Sequence, residues 1–427
     1  MLDSDFKELM AILSVPRPNG SAAERKTSQD LQGWLQKHNI PYHIHSFRQY
    51  PYLFETTGIW LILSRSLLAL AVWLRWGWWS LPIAVLGLLG GTLDIALHLP
   101  LVSWPGARRA ENIVLEFTPP DPKRELILSA HYDSKTELLD HHQRMFFLKN
   151  LRLGIVITLV LGLIGPMESW LRAQGSGWAG PTYWIGAVLA LLLIILAWGL
   201  GLNLSTGRLL PPSQGAVDNG AACAILLGLA ESLNTEGLVS DKLSGRAQEH
   251  TFPYTSSPPE NEGQFSLQNL KLTLALFSGE EINMQGSRAY VHDRDWHLPV
   301  SALNLEVMSQ DGDYVFWELD GNVFHLEPTS AQINDAVRSA VTAITGAGAR
   351  PAGPVNSDGA SFLSVGIPTS VIGTYDLNWV DTGFHSPSDN LERIVMRRLP
   401  EGVRILRNIL YQFEREQSST LFRKINP

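Results

Sequence analysis

The feature that most constrains this 427-residue chain is the apolar stretch 183–204, which has no charged residue between Ala187 and Leu200. About 20 apolar residues are enough for a helix to cross the hydrocarbon core of a bilayer. The composition agrees, because 45% of residues are hydrophobic and only 17% are charged. Soluble proteins usually carry about a quarter charged residues. We therefore expect part of the chain to lie in lipid.

Three more stretches have a similar character, and they are 59–74, 81–101 and 151–171. The first two are separated by Trp76, Trp78 and Trp79, and tryptophan favours the membrane interface. The other pair, 151–171 and 183–204, is joined by a glycine-rich turn. The pattern predicts four transmembrane helices in two hairpins, which occupy 55–101 and 148–205.

Arg65 and Asp94 are unusual in the first hairpin, since a charge at mid-membrane costs about 2.5 to 3.5 kcal/mol. Snorkelling or mutual pairing of the two side chains would reduce that cost. The alternative for this pair of stretches is a buried hairpin within a soluble domain.

Positive charge near the ends of the apolar stretches predicts the membrane side. Only Arg75 and Arg172 lie near the short turns. Cationic residues are more numerous beside the soluble segments: Arg48, Arg108, Arg109, Arg144, Lys149, Arg152 and Arg208. By the positive-inside rule, we expect a multi-pass membrane protein whose soluble part faces the cytoplasm.

Charge and cysteine content exclude other classes. A net charge of -8 without a dense Lys/Arg stripe offers no surface for nucleic acid. The single cysteine, Cys223, excludes an internal disulfide, and its apolar helical surroundings predict a buried thiol. The amino end has no basic region before an apolar core, so a cleavable signal peptide is not expected.

The soluble segments alternate helical and strand patterns. This alternation predicts a three-layer α/β/α domain with a mixed, mostly parallel sheet. The domain is discontinuous and comprises 1–54, 102–147 and 206–427. Helices are predicted at 5–13, 22–37, 221–233, 331–347 and 399–416, and strands at 41–47, 112–117, 125–130, 274–277, 301–308 and 369–373. Polar, aperiodic residues at 234–269 predict a mobile surface excursion, and 376–385 a loop.

Two adjacent carboxylates, Glu280 and Glu281, follow the apolar strand that ends at Phe277. Open α/β sheets bind ligands at the carboxyl ends of their strands. Adjacent residues on an extended backbone point to opposite sides, so one carboxylate can bind a metal while the other faces water. The alternative is an acidic pair that caps the next helix.

Other candidate metal ligands are His131 after a predicted strand, Glu306 on the strand 301–308, Asp218 at a loop-to-helix turn and His385 in a late loop. Imidazole nitrogen and carboxylate oxygen suit zinc, and five such ligands exceed what one ion needs. A carboxylate shared by two ions would use them all. Alternatively, His131 is a structural residue and Asp218 a helix cap. We expect the remaining histidines, which include the His141-His142 pair, to lie at the surface.

Five motifs in order resemble the M28 family of zinc peptidases, which are mainly aminopeptidases. They are SAHYDS at 129–134, DNGA at 218–221, FSGEE at 277–281 followed by QGS at 285–287, NLE at 304–306 and FHSPSD at 384–389. The resemblance covers nearly all of the soluble sequence and neither hairpin. It implies that the hairpins are insertions into a zinc-exopeptidase fold.

The resemblance also implies roles for single residues. Asp218 would bridge two Zn²⁺ ions, with Glu280 as the general base and Asp133 as a supporting carboxylate. The remaining ligands would be His131 and Glu306 on one ion, and Glu281 and His385 on the other. Two positions depart from the family: Glu306 stands where Asp is usual, and Phe384 replaces a tyrosine that some relatives use to steady the oxyanion.

These features predict a membrane-anchored exopeptidase with two zinc ions that releases amino-terminal residues from peptides. The hairpins would favour apolar or membrane-associated substrates. Three alternatives remain: a carboxypeptidase, a single-zinc glutaminyl cyclase, and a receptor-like membrane protein without catalysis. A His-Glu-x-x-His zinc motif, a Gly-x-Ser-x-Gly elbow and a P-loop are all absent from the sequence.

Overall fold

The computed structural model describes residues 3–98, 100–103, 106–235, 267–322, 324–375, 383–415 and 421–423. Most of the predicted excursion at 234–269 and of the predicted loop at 376–385 lies outside these residues. The helices are α1 Asp3–Leu13, α2 Ala22–Lys37, α3 Leu53–Trp73, α4 Ser80–Ala96, α5 His141–Lys149, α6 Leu151–Ala173, α7 Ala179–Thr206, α8 Ala221–Thr235, α9 Gln285–Asp293, α10 Ala331–Thr345, α11 Gly359–Leu363 and α12 Arg398–Arg415. The strands are β1 His43–Gln49, β2 Arg108–Phe117, β3 Arg124–His131, β4 Leu270–Phe277, β5 Val300–Glu306, β6 Asp313–Gly321, β7 Leu326–Pro328, β8 Arg350–Val355 and β9 Thr369–Tyr375.

The described strands form one mixed sheet in the order β1-β2-β4-β3-β5-β9-β6-β7, with β8 beside β6. Pairing is parallel through the centre, from β4 through β3 and β5 to β9. The outer pairs β1-β2, β2-β4, β9-β6 and β6-β7 are antiparallel. The predicted mixed α/β fold is therefore confirmed. His131 is level with Phe277 in the register, so the ends of β3 and β4 lie side by side.

Helices cover both faces of the sheet. Along β3, Leu126 and Leu128 belong to one buried cluster, which α1, α2, α8, α10 and α12 complete. Ile127 belongs to the opposite cluster, together with Tyr290 of α9 and Phe362 of α11. Alternate residues of a strand face opposite sides, so apolar residues on both sides place the sheet between two helical layers. Cys223 is fully buried in the first of these layers, as predicted.

Five described helices are long and apolar enough to cross a membrane. In the fifth, Ala216–Thr235, 83% of the most apolar 18-residue stretch is buried inside the structure. This helix packs in the core of the α/β domain. The other four, which are centred on α3, α4, α6 and α7, are 29% to 44% buried by the same measure. They pack together through residues such as Leu68, Leu161 and Leu193.

Arg65 and Asp94 have separate partners, so they do not relieve each other's burial as an ion pair. Asp94 accepts the backbone N–H groups of Leu101, Val102 and Ser103 just beyond α4. Arg65 donates to the hydroxyl of Ser64 at 3.1 Å. The Asp94 carboxylate thus caps the chain where it leaves α4, a role that hydropathy alone does not predict.

Candidate metal centre

The five predicted metal ligands meet at the carboxyl edge of the sheet. His131 is the last residue of β3, and Glu306 is the last residue of β5. Asp218 lies in a kinked, non-helical turn just before α8. The turn begins at Gly215, where φ is +61° and an added Cβ would approach Ser134 Cβ to 2.6 Å. A glycine here lets the turn lie against the chain that leaves β3.

Asp218 stands between the two predicted histidines. Its Oδ1 atom lies 3.2 Å from His131 Nε2, and its Oδ2 atom lies 3.3 Å from His385 Nε2. Two groups of possible metal ligands result, His131 with Asp218 and Glu306, and Asp218 with Glu281 and His385. Within each group the ligand atoms all lie within 4.8 Å of one another. Asp218 is the member that both groups share.

The sequence analysis placed Glu280 and Glu281 on an extended backbone, but the chain turns before it reaches them. Gly279 adopts φ of +80°, which turns the chain, and Glu280–Ile282 forms a 3-10 turn. The two carboxylates still serve different histidines. Glu281 Oε1 lies 3.0 Å from His385 Nε2, whereas Glu280 Oε2 lies 3.8 Å from His131 Nε2.

Glu306 has neutral partners as well as a histidine. Its Oε2 atom lies 3.6 Å from His131 Nε2. The side-chain amides of Asn219 and Asn304 donate to its two oxygens at 3.1 and 2.9 Å. The Glu306 carboxylate is therefore not unpaired in its apolar strand. The amides satisfy part of the buried carboxylate and leave the side facing His131 open.

Asp133 lies behind the site and is completely buried. It accepts the side-chain amide of Asn19 at 2.8 Å and the backbone N–H of Glu281 at 3.0 Å. Its Oδ1 atom also lies 3.5 Å from His131 Nδ1, the ring nitrogen that faces away from Asp218. Asp133 therefore touches both the histidine and the turn that carries the acidic pair.

Arg17, which lies between Pro16 and Pro18, is a residue that the sequence analysis did not single out. Its side chain is fully buried. It donates to the carbonyl oxygen of Tyr132, next to His131, and to those of Gln214 and Gly215, just before Asp218. The guanidinium thus joins two ligand-bearing loops. A proline-flanked arginine gives no local signal of such a role.

Two further residues missed from the sequence surround His385. Glu137 Oε2 lies 3.2 Å from His385 Nδ1, and Arg144 of α5 lies 2.5 Å from the same Glu137 oxygen and 2.6 Å from that nitrogen. Burial opposes the charge of Glu137, but Arg144 and Lys135 hold its pKa well below the ordinary range. His141, predicted to lie at the surface, is half-buried beside Arg144.

Electrostatics set the protonation of the site in the absence of metal. Burial opposes protonation of His131, but the carboxylates of Glu280 and Glu306 raise its pKa well above the usual value. Burial, together with the charge of Glu281, raises the pKa of Glu280 well above its ordinary value. Burial also raises the pKa of Asp358, another acid near the site, to about 8.

The donor set fits divalent cations. Among the described residues, the two ligand groups together hold three carboxylates, Asp218, Glu281 and Glu306, and two imidazoles in a largely buried space, so carboxylates outnumber imidazoles there. Burying uncompensated charge is costly unless a cation neutralises it. Among the described residues, Glu281 Oε1 makes no hydrogen bond, although it is only 3.0 Å from His385 Nε2. The Glu281 oxygen and the His385 nitrogen thus lie close together without a hydrogen bond between them, as two ligands of one metal ion do.

Comparisons with known proteins agree with this architecture. An aminopeptidase from Aneurinibacillus sp. strain AM-1 aligns over 100% of this chain and 96% of its own, with a TM-score of 0.52 and 13% identity. A glutaminyl cyclase from Macrostomum lignano aligns over 97% of this chain and 89% of its own, with a TM-score of 0.50 and 14% identity. A Zn-dependent exopeptidase from Parabacteroides distasonis aligns over 96% of both chains, with a TM-score of 0.50 and 12% identity.

At such identities the similarity shows a shared fold and nothing finer. No curated protein sequence matches the chain. The family model described as "Peptidase family M28" matches residues 204–409. This region includes Asp218, Glu281, Glu306 and His385, whereas His131 lies before it and joins the site only through the fold. Through residues 204–409, the chain is therefore similar to peptidase family M28.

Proposed function

We propose that this protein is a membrane-anchored zinc exopeptidase that holds two zinc ions and releases amino-terminal residues from peptides. The position of Asp218 carries the proposal, because its two oxygens face the Nε2 atoms of two different histidines. A carboxylate placed in this way suits a bridge between two ions. His131 and Glu306 would complete one ion's ligands, and Glu281 and His385 the other's.

Zinc bound by these residues would supply a Lewis acid to polarise the scissile carbonyl and to favour ionisation of water. The protein's own contribution is to fix the ligands. Asn219 and Asn304 hold the Glu306 carboxylate, and Asp133 lies against the outer nitrogen of His131. Partners of this kind keep a ligand in one orientation.

Glu280 is the proposed general base. Its carboxylate lies 3.8 Å from His131 Nε2, and its backbone N–H donates to Asp133 at 3.3 Å. Burial raises its pKa well above the ordinary value, which favours a carboxylate that can accept a proton from water and give it up again. In the proposed reaction, Glu280 takes this proton from the attacking water and passes it to the leaving amine.

The membrane anchor is proposed from the four apolar helices outside the α/β core. They form two hairpins at 55–101 and 148–205, inserted into one catalytic domain made of 1–54, 102–147 and 206–427. The second hairpin lies between His131 and Asp218 in the chain, so the site would open close to the bilayer. Apolar or membrane-associated peptides are the proposed substrates, and the catalytic domain is proposed to face the cytoplasm.

A glutaminyl cyclase is the second candidate, because proteins of that name share the fold. The cyclase alternative predicts a single zinc ion, whereas the two ligand groups here favour two. A carboxypeptidase and a receptor-like protein without turnover are further alternatives. The presence of every proposed ligand and of Glu280 argues against the last of these.

The test uses the purified full-length protein in detergent. Zinc is counted per chain, and the loaded protein is offered aminoacyl amides, the same compounds with a blocked amino group, and a peptide with amino-terminal glutamine. We expect two zinc ions and hydrolysis of the unblocked compounds only. One zinc ion with cyclisation of the glutamine peptide would support the cyclase instead. Hydrolysis at the carboxyl end would support the carboxypeptidase.

A further inference from the structure

The residues around His385 belong to a short connecting segment, defined as residues 134–144, which runs from the end of β3 to α5. Within it, the backbone N–H of Glu137 donates to the carbonyl oxygen of His385 at 2.9 Å, and the Glu137 side chain faces the His385 ring. Arg144 contacts both the same Glu137 oxygen and the same ring nitrogen of His385. The ring of one proposed zinc ligand is thus held mainly by the connecting segment.

The connecting segment itself lies against the apolar helices. Asn203 of α7 accepts the backbone N–H of Leu139 at 2.8 Å. At the end of α7, Gly207 packs so closely on Thr136 that an added Cβ would overlap the Thr136 carbonyl oxygen. Lys135 also places its ammonium 4.5 Å from the ring of Phe54 in α3.

The Glu281 turn is attached to the first hairpin in a similar way. Asn283, two residues after Glu281, donates its side-chain amide to the carbonyl oxygen of Ile95 in α4 at 3.0 Å. The same amide nitrogen lies 2.9 Å from His98 Nδ1, just beyond that helix. Glu281 and His385, the two proposed ligands that belong to the second ion alone, are therefore braced by residues of the hairpins or their flanks.

The ligands of the first ion have no such attachment among the described contacts. His131 and Glu306 end the paired strands β3 and β5. The Glu306 carboxylate is held by Asn219 and Asn304, and Asn304 in turn accepts the hydroxyl of Ser129 in β3. This half of the site depends on the sheet edge and on the turn that carries Asn219.

We propose that packing of the membrane hairpins positions Glu281 and His385, so that it controls affinity for the second zinc ion but not for the first. The inference rests on the two-ion site proposed above. Residues that orient metal ligands typically change metal affinity 10- to 100-fold when they are altered. Disturbing the hairpin contacts would thus convert a two-zinc protein into a one-zinc protein at limiting zinc.

The test replaces Gly207 by alanine, which inserts a methyl group between α7 and Thr136 and changes none of the proposed ligand residues. Its matched control is Gly154→Ala in α6, where an added Cβ meets nothing within 4 Å. Zinc binding to the full-length proteins is titrated against a competing chelator. We expect Gly207→Ala to weaken the second zinc at least 10-fold with the first unchanged, and the control to bind as wild type.

Wild type and Gly207→Ala that both bind two zinc ions with equal affinities would overturn the inference and leave the proposed function standing. Wild type that binds one zinc ion would overturn both. Glu137→Gln provides a second variant should Gly207→Ala fail to fold. It removes the charge beside His385 and keeps the shape, and the same selective loss is expected. Unchanged affinity for both ions in Glu137→Gln would count equally against the inference.

Discussion

Asp133 accepts the backbone N–H of Glu281 at 3.0 Å, which ties the chain leaving β3 to the turn that follows β4. The same carboxylate lies beside the outer nitrogen of His131. Asp133→Asn keeps the size of the side chain but removes its charge, so we expect a 10- to 100-fold loss of zinc affinity. Competitive zinc titration measures it, with the exposed Asp335→Asn as control. An affinity equal to that of wild type would show that Asp133 only shapes the loop.

Glu280→Gln tests the general base. Glutamine matches glutamate in shape but cannot accept the proton from water, so we expect the rate of peptide hydrolysis to fall at least about 100-fold. Zinc content should stay unchanged, because Glu280 lies outside both proposed ligand groups. Steady-state kinetics and metal analysis on one preparation make the measurement. Full turnover in the variant would assign the base to another residue.

Arg17→Met tests whether the buried Arg17 side chain holds the two ligand-bearing loops together. The substitution removes the Arg17 donor from the carbonyl oxygens of Tyr132 and Gln214, and it leaves that of Gly215 with the backbone N–H of Gly220 alone. Each buried, unsatisfied group costs about 1 to 3 kcal/mol, so we expect a loss of several kcal/mol of stability. Thermal unfolding of the full-length protein measures the loss. Lys26→Met, which changes an exposed cation, should alter stability by less than about 0.5 kcal/mol. Equal losses of stability in the two variants would contradict this role of Arg17.

Asp320, which lies outside both proposed ligand groups, predicts a pH dependence of stability. Its buried carboxylate accepts the backbone N–H and the hydroxyl of Ser357, yet burial raises its pKa from 3.8 to about 7. The folded state therefore binds the proton more tightly than the unfolded state. This group's contribution to stability is present below about pH 4 and is lost as pH rises to about 7.

Asp320→Asn removes the titration, so its stability should fall less than that of wild type between pH 4 and pH 7. The difference in slope reaches at most about 1.4 kcal/mol per pH unit. Denaturant unfolding at a series of pH values measures it. Parallel slopes for the two proteins would place the titration of this region elsewhere.

Membrane topology can be tested by single cysteine substitutions, because the native Cys223 is buried. Lys26 is exposed on the α/β domain, and Gln174 is exposed at the turn between α6 and α7. We expect an impermeant thiol reagent to label Gln174→Cys in intact cells, and Lys26→Cys only after permeabilisation. Labelling of both variants from the same side would contradict the proposed hairpins.

Much of the fold could be predicted from local pattern, since periodic apolar residues gave the helices α2, α8 and α12 and the strands β2, β3 and β5. The positions of four proposed ligands were also predictable, because His131, Asp218, Glu281 and Glu306 lie at or beside the ends of helices and strands, whereas His385 lies in a loop. Strand β8 was missed, since its sequence from Arg350 to Val355 contains two prolines and a glycine, which strands usually avoid.

The residues that support the site were harder to find because their partners are far apart in sequence. Arg17 bonds with Tyr132 and Gly215, which are separated from it by 115 and 198 positions. Glu137 acts on His385 across 248 positions (385 minus 137). Hydrophobic periodicity carries no information on such contacts, and only the folded sheet edge brings them together.

The most direct test of the shared site is an anomalous difference map, recorded at the zinc edge from crystals of the zinc-loaded, full-length protein. Our account predicts two peaks about 3.5 to 4 Å apart, one on each side of the Asp218 carboxylate. One peak should lie beside His131 and Glu306, and the other beside Glu281 and His385. A single peak, or two peaks that do not share Asp218, would contradict it.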